Sequence, residues 1–345
     1  MVIRMKLLLA TVLFVVVLFG IGRTDGIETF VEEVKQHTGY VVISDPYQVA
    51  LPSAATTEMM SDQLQGDREK LRERIQQEAD NRRVKPIDAR LDKVWKAIPA
   101  LNGIEVDIEK TMALAIQHPY AEPLPLVLKE VPPAIELKDL GAQPIYKGNP
   151  EKPMVALMIN VAWGNEYLPH MLEVLKKEQV KATFFLDGSW LKKNADMAKT
   201  ILEAGHELSN HAYSHKDMSK LGREQATAEI SKTEVLLKEL GVVNKLFAPP
   251  SGDFGAETVR IAHELGLHTI LWTLDTIDWM KPAPATIVNK VRTRVEPGTL
   301  ILMHPTASSS EALEQMIAVI KDKKLLLGTV SEVISPHRVP QVELK

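Results

Sequence analysis

The chain has 345 residues, a formal net charge of −4, no cysteine, and an ordinary globular balance of 45% hydrophobic and 25% charged residues. Without cysteine there is no disulfide framework, thiolate nucleophile or zinc ribbon, so any metal must be held by His, Asp or Glu. The mildly acidic balance offers no basic stripe of the kind nucleic-acid binders carry, and nucleic acid is set aside as a partner.

Arg4 and Lys6 precede an uncharged stretch, LLLATVLFVVVLFGIG, which ends at Arg23. A basic start followed by an apolar run is what a signal peptide presents. This run is long for a signal peptide and lacks an A-x-A cleavage pattern. It is also short of the roughly 20 residues that span a bilayer. Residues 1–26 therefore read as a signal peptide or an uncleaved signal anchor. Either places the remainder outside the cytoplasm, at the cell envelope, with the membrane engaged only through this segment.

Residues 27–85 begin as a polar connection and continue as DQLQGDREKLRERIQQEADNRR. The thin apolar stripe of Leu64, Leu71 and Ile75 suits a solvated helical stalk better than a dimerising coiled coil, because sustained heptads are missing. Residues 86–150 read as a small α+β domain. ARLDKVWKAI puts Leu91, Val94, Trp95 and Ile98 on one face of a predicted helix that Pro99 stops. Asn102-Gly103 marks a turn, Ile104, Val106 and Ile108 alternate as a strand would, a helix follows near Thr111–Gln117, and LPLVLKEV supplies a second strand. Nothing catalytic is visible there, and a binding or spacer role is the most it implies.

From residue 151 to 337 apolar runs alternate with amphipathic helical stretches. The predicted strands are 154–160, 181–186, 206–210, 245–249, 268–273, 298–303 and 324–330, and residues 338–345 form a tail. Continuous apolar runs mark parallel strands buried on both faces. The fold is α/β. Seven units suit a closed or nearly closed barrel, and the glycine fingerprint G-x-G-x-x-G of a Rossmann sheet does not follow the first strand.

In a barrel, catalytic residues gather at the carboxyl ends of strands. The first strand opens onto Asn160, Trp163, Gly164, Asn165 and Glu166. The third ends in SNHAYSH, where His211 and His215 stand four apart and reach one metal if the segment turns helically. The fourth ends in FAPPSGDF, a rigid turn through Pro249 and Pro250; the fifth in WTLDTIDWM, with Asp275, Asp278 and Trp279; the sixth in LILMH, with His304 where a general acid would stand. Each has an ordinary structural reading alone: a capping Asp, a satisfied His, a loop. Five successive strand ends with such clusters are another matter.

In these stretches residues 153–335 resemble the NodB-homology domain of the polysaccharide deacetylases, carbohydrate esterase family 4. That family reads T-F-D-D-G, H-[ST]-x-x-H, R-P-P-Y/F-G, D-x-x-D-W and L-x-H where this chain reads MINVAWG, HAYSH, FAPPSG, DTIDW and LMH. The W-G variant of the first motif resembles a sporulation-associated, deacetylase-like branch. The resemblance implies a distorted (β/α) barrel, preceded here by the small α+β domain and the helical N-terminal segment. It also implies a divalent metal, usually zinc, polarising the acetamide of an N-acetylated glycan such as peptidoglycan. By position His211 and His215 would be metal ligands, His304 the acid that protonates the leaving amine, Asp278 or Asp275 the group orienting it, and Trp163, Trp279, Pro249 and Pro250 would line the sugar groove.

The departures are specific. Asn160 stands where the general base belongs, and a carboxamide cannot take a proton at neutral pH. Ala248 replaces the arginine that would pair with that base, so two buried charges are absent together, a change that can be nearly neutral. No second aspartate follows Asn160, and Glu166 is the nearest carboxylate. Two functions therefore stand side by side: a weak or impaired metal-dependent N-deacetylase, and a catalytically inactive deacetylase-fold protein that binds cell-wall glycan.

Overall fold

The computed structural model describes residues 54–118 and 121–339. The apolar stretch before Arg23, and with it the choice between signal peptide and anchor, lies outside the described residues, as does most of the tail. Among the described residues no helix is long and apolar enough to cross a membrane. The chain divides after Asp67 into two units, and the small module, the barrel and the site all belong to Arg68–Lys345.

Helix α1 (Ala54–Arg82) leads into a two-stranded hairpin, β1 (Arg90–Asp92) and β2 (Lys96–Ile98). Strand β3 (Gly103–Val106), helix α2 (Ile108–Gln117) and strand β4 (Leu128–Val131) follow, with β3 and β4 antiparallel. The helix predicted over ARLDKVWKAI is thus a hairpin. Asp92 decides it: its Oδ1 accepts from the backbone N–H of Val94 and of Trp95, both at 2.8 Å, and closes the turn. Leu91 and Val94, spaced as a helical stripe, are exposed on it. The stripe on α1 is not solvated along its second half, where Ile75 and Ala79 pack against Val106, Met112 and Ala115.

The barrel begins with β5 (Met154–Val161), buried on both faces, then α3 (Leu168–Lys177), β6 (Thr183–Leu186), α4 (Gly188–Lys193), α5 (Ala195–Glu203) and β7 (Glu207–Asn210). It continues with α6 (Arg223–Glu239), β8 (Leu246–Phe247), α7 (Ala256–Glu264), β9 (His268–Thr269), β10 (Leu274–Asp275) and α8 (Pro284–Arg294). The last elements are β11 (Leu300–Met303), α9 (Ala307–Asp322), β12 (Leu326–Gly328) and α10 (Val330–Ile334). The sheet runs β10-β11-β5-β6-β7-β8-β9, with β12 pairing the start of β5, and its pairs are parallel. All seven predicted strands are present. The fifth is shorter than its apolar text: it stops at Thr269, the chain crosses the barrel over 270–273, and β10 follows as an eighth strand.

Strands β9 and β10 stand at opposite ends of the sheet, and residues 145–148 lace the opening. Ile145 donates its N–H to the carbonyl of Thr269 at 2.9 Å and accepts from Leu271 at 2.8 Å, while Gly148 donates to Gly298 at 2.8 Å. Successive β5 side chains point to opposite faces. Val155, Leu157, Ile159 and Val161 join the layer beneath helices such as α3, α8 and α9; Met154, Ala156 and Met158 join Ile145, Phe185, Ala248 and Leu300 inside the barrel. The inward register continues to Asn160, which is how an apolar strand delivers its one polar residue to the barrel mouth.

Candidate active site

A cleft of about 540 Å³ opens at the carboxyl ends of the strands, with Asn160, Trp163, His215, Asp275, Trp279 and His304 among its lining. Asn160 is buried, and among the described residues its side chain has no hydrogen-bond partner and its enclosed Oδ1 no donor. Such an atom is expensive to bury and is satisfied when a ligand supplies a partner. Beyond it the chain turns at Gly164 (φ 84°), where a Cβ would lie 2.0 Å from the carbonyl oxygen of Pro305. Only glycine lets this loop close onto the residue after His304. The Trp163 ring consequently meets the His304 ring at 5.1 Å and 84°. Glu166 is exposed and does not line the cleft, so the nearest carboxylate to Asn160 in sequence is no substitute for it.

Asp278 is fully buried, and both its oxygens face His304: Oδ2 accepts the His304 backbone N–H at 2.6 Å and Oδ1 accepts from the ring Nδ1 at 2.8 Å. This fixes the tautomer with the proton on Nδ1 in the neutral ring and turns Nε2 away from Asp278. The turn that achieves it runs Asp278–Met280 between two left-handed residues, Ile277 (φ 55°) and Lys281 (φ 54°). A β-branched residue rarely adopts that conformation. Asp275 supports it by accepting the Ile277 N–H at 2.7 Å, so of the two aspartates Asp278 orients His304 while Asp275 lines the cleft. Trp279 is left 56% exposed at the rim.

His211 and His215 come together without a helix. Ala212 (φ 58°) and His215 (φ 53°) are left-handed, and the loop is tied down by Asn210, which accepts the Ala212 N–H at 2.8 Å, and by Glu229 of α6, which accepts the Ser214 N–H at 2.8 Å. The two ring centres lie 5.2 Å apart. His211 spends Nδ1 on the Ala248 carbonyl at 2.7 Å and keeps Nε2 as its remaining lone pair. Burial, and secondarily the charge of His215, pushes the His211 pKa down to about 3, so the ring is neutral. That is the tautomer and charge state of a metal ligand. The rest of the donor set falls short: among the described residues no group of three His, Asp or Glu could hold a metal ion.

Pro249 and Pro250 are buried and do not line the cleft, contrary to the sequence expectation. They shape the turn that puts the next residue, Ser251 (φ 55°), on its wall. Ala248 is buried in the barrel interior with Met158, Phe185 and Ile270. Sequence reasoning missed Trp272, which lines the cleft with its ring against Gly252; a Cβ there would sit 2.7 Å from Trp272 Cη2. The residue was hidden inside an apolar run read as strand.

Residues 147–270 match the family model described as polysaccharide deacetylase. A solved structure of BA3943, a CE4 family pseudoenzyme from Bacillus anthracis, is 43% identical, with a TM-score of 0.71 over 78% of this chain and 96% of that one. The Bacillus subtilis protein YlxY, itself uncharacterised, is 48% identical over 270 residues, 78% of this chain and 85% of its own. The chain belongs to the polysaccharide deacetylase family. Within that family it is also similar to a Bacillus cereus peptidoglycan-N-acetylglucosamine deacetylase, 34% identical over 184 residues, 52% of this chain and 67% of that protein. A mutant of BA3943, 42% identical to this chain over 78% of it and 99% of that one, with a TM-score of 0.71, is described by its authors as having restored enzymatic activity. The family's deacetylases are generally metal-dependent. The fold of this member is the family's curled barrel, and its cleft holds a hydrogen-bonded Asp278–His304 pair.

Proposed function

We propose that the protein is an impaired N-deacetylase of the peptidoglycan deacetylase family, whose cleft receives an N-acetylated glycan and hydrolyses it slowly. The observation that carries this is Asn160, without a hydrogen-bond partner, in the same cleft as an intact Asp278–His304 pair. His304, once protonated, delivers a proton from Nε2 to the leaving amine, and the buried Asp278 stabilises the imidazolium and holds its plane. Trp163 and Trp279 flank the sugar and exclude water from its faces. Asn160 holds a water or the acetamide by hydrogen bonds but removes no proton, and a positioned base is worth about 10²–10⁴ in rate. A divalent metal, zinc by the preference of imidazole, would be held by His211 and His215 and would polarise the acyl oxygen when bound. Two neutral ligands without a carboxylate hold such an ion weakly.

The second reading, a silent member that binds cell-wall glycan, is favoured by the missing third ligand and by the similarity to a named pseudoenzyme. Relatives named peptidoglycan deacetylases favour peptidoglycan as the glycan and the cell envelope as the place of action. The test is acetate release by the full-length protein from chito-oligomers and peptidoglycan, with and without added zinc, beside Asn160→Asp combined with Ala248→Arg. Release from the parent at least 100-fold slower than from the double variant supports impairment. Equal rates would remove Asn160 from the account, and glycan binding without any release would leave the second reading.

A further inference from the structure

The three indole rings in the cleft, its charge and the unpaired amide of Asn160 have a common chemical consequence. Trp163, Trp272 and Trp279 all line the cleft, and no lysine or arginine among the described residues does. The Asp275 carboxylate is on the wall, and Asp278 stands buried behind His304. The Lys290 ammonium donates to the backbone carbonyl of Asp275 at 3.1 Å from outside the lining, and its charge opposes a cationic guest. Aromatic faces, a carboxylate and an unsatisfied amide, with no lysine or arginine on the lining itself, are the elements from which ammonium sites are built. His215 and His304 are the other titratable groups of the lining.

We infer that this cleft retains the deacetylated glycan, an amino sugar with a free ammonium at C2, more tightly than the N-acetylated form. The inference rests on the cleft being the glycan site. An acetamido group brings one N–H, one carbonyl acceptor and a methyl; an ammonium brings three donors and a charge. Asp275 and the Asn160 amide oxygen are the acceptors the lining offers to these donors, and water takes the remainder. The indoles shield the ammonium from solvent, which strengthens both contacts. Leu302 and Ala162, also on the wall, favour the acetyl methyl and oppose the preference. Burial of one methyl is the smaller effect beside hydrogen bonds to a desolvated charge. With Asn160 and Ala248 both uncharged, Asp275 is the carboxylate that the lining itself offers to such a guest.

The experiment is calorimetric titration of the full-length protein at pH 6, where the amino sugar is mostly protonated, in chelator, with β-1,4-linked tetrasaccharides of glucosamine and of N-acetylglucosamine. The expected result is at least tenfold tighter binding of the glucosamine tetramer, a preference that Asp275→Asn reduces to about twofold or less. Asparagine at 275 keeps the acceptor for the Ile277 N–H, so the turn is retained. Added zinc is expected to weaken the amine form more than the acetylated one, since an ion on His211 and His215 repels an ammonium. Equal affinity, or preference for the acetylated tetramer, overturns the inference and leaves the glycan site standing; binding of neither overturns both. Competition by tetralysine at equal concentration would reduce the preference to bulk charge and also overturn it, as would an undiminished preference in Asp275→Asn.

Discussion

At the scale of single residues the protein is defined by two coordinated losses. Asn160 and Ala248 remove a buried carboxylate and its arginine, and Ala248 is now packed inside the barrel, so restoring only one partner is unfavourable. Asn160→Asp alone is expected to bury an unpaired carboxyl whose folded pKa is raised. The folded state then binds the proton more readily than the unfolded one. Stability matches the parent below about pH 4 and falls progressively as pH rises toward the raised pKa. Urea unfolding at pH 4 and pH 7.5 measures the difference. His206 gives the opposite slope. It is buried, accepts the Ala182 N–H at 3.2 Å on Nδ1, and its pKa is pushed down to about 4, first by burial and then by Lys181. Here the unfolded state takes the proton more readily, so stability is lost as pH falls from about 6.5 toward 4. His206→Gln, which keeps an acceptor, is expected to flatten that acid limb in the same unfolding assay.

At the scale of elements, burial on both faces made the barrel strands legible, and local side-chain chemistry made the small module less so. MVALMINV could be read as a central strand because nothing polar interrupts it before Asn160, and its inward register follows from alternation alone. ARLDKVWKAI misled because Leu91, Val94, Trp95 and Ile98 have helical spacing, while the decisive contact is one aspartate capping a turn. Helix α8, whose PATIVNKVRTR text has a weak apolar stripe, buries Ile287, Val288 and Val291 against the barrel's outer layer. The lacing role of residues 145–148 depends on two strands distant in sequence and has no local signature. Ile145 is fully enclosed where it bridges Thr269 and Leu271. Ile145→Ala is therefore expected to lower stability by about 2–5 kcal/mol in denaturant unfolding, more than the same change at a half-buried position.

At the scale of the molecule, five motif remnants in the right order made the family legible, because each strand end holds a different part of one site. The quality of that site was legible only at Asn160 and Ala248. The remainder required three dimensions: Trp272 enters through a chain crossing, Pro249 and Pro250 withdraw beneath Ser251, and Gly164 brings Trp163 onto His304. The barrel mouth thus brings together the Asp278–His304 pair, three indoles and the His211–His215 pair, while among the described residues no group of three His, Asp or Glu could hold a metal ion. The most direct measurement is the turnover number for acetate release by the full-length protein from a chito-oligomer in saturating zinc. A value at least 100-fold below the roughly 10 s⁻¹ of a typical enzyme is the predicted result, and turnover of about 10 s⁻¹ with Asn160 in place would contradict it.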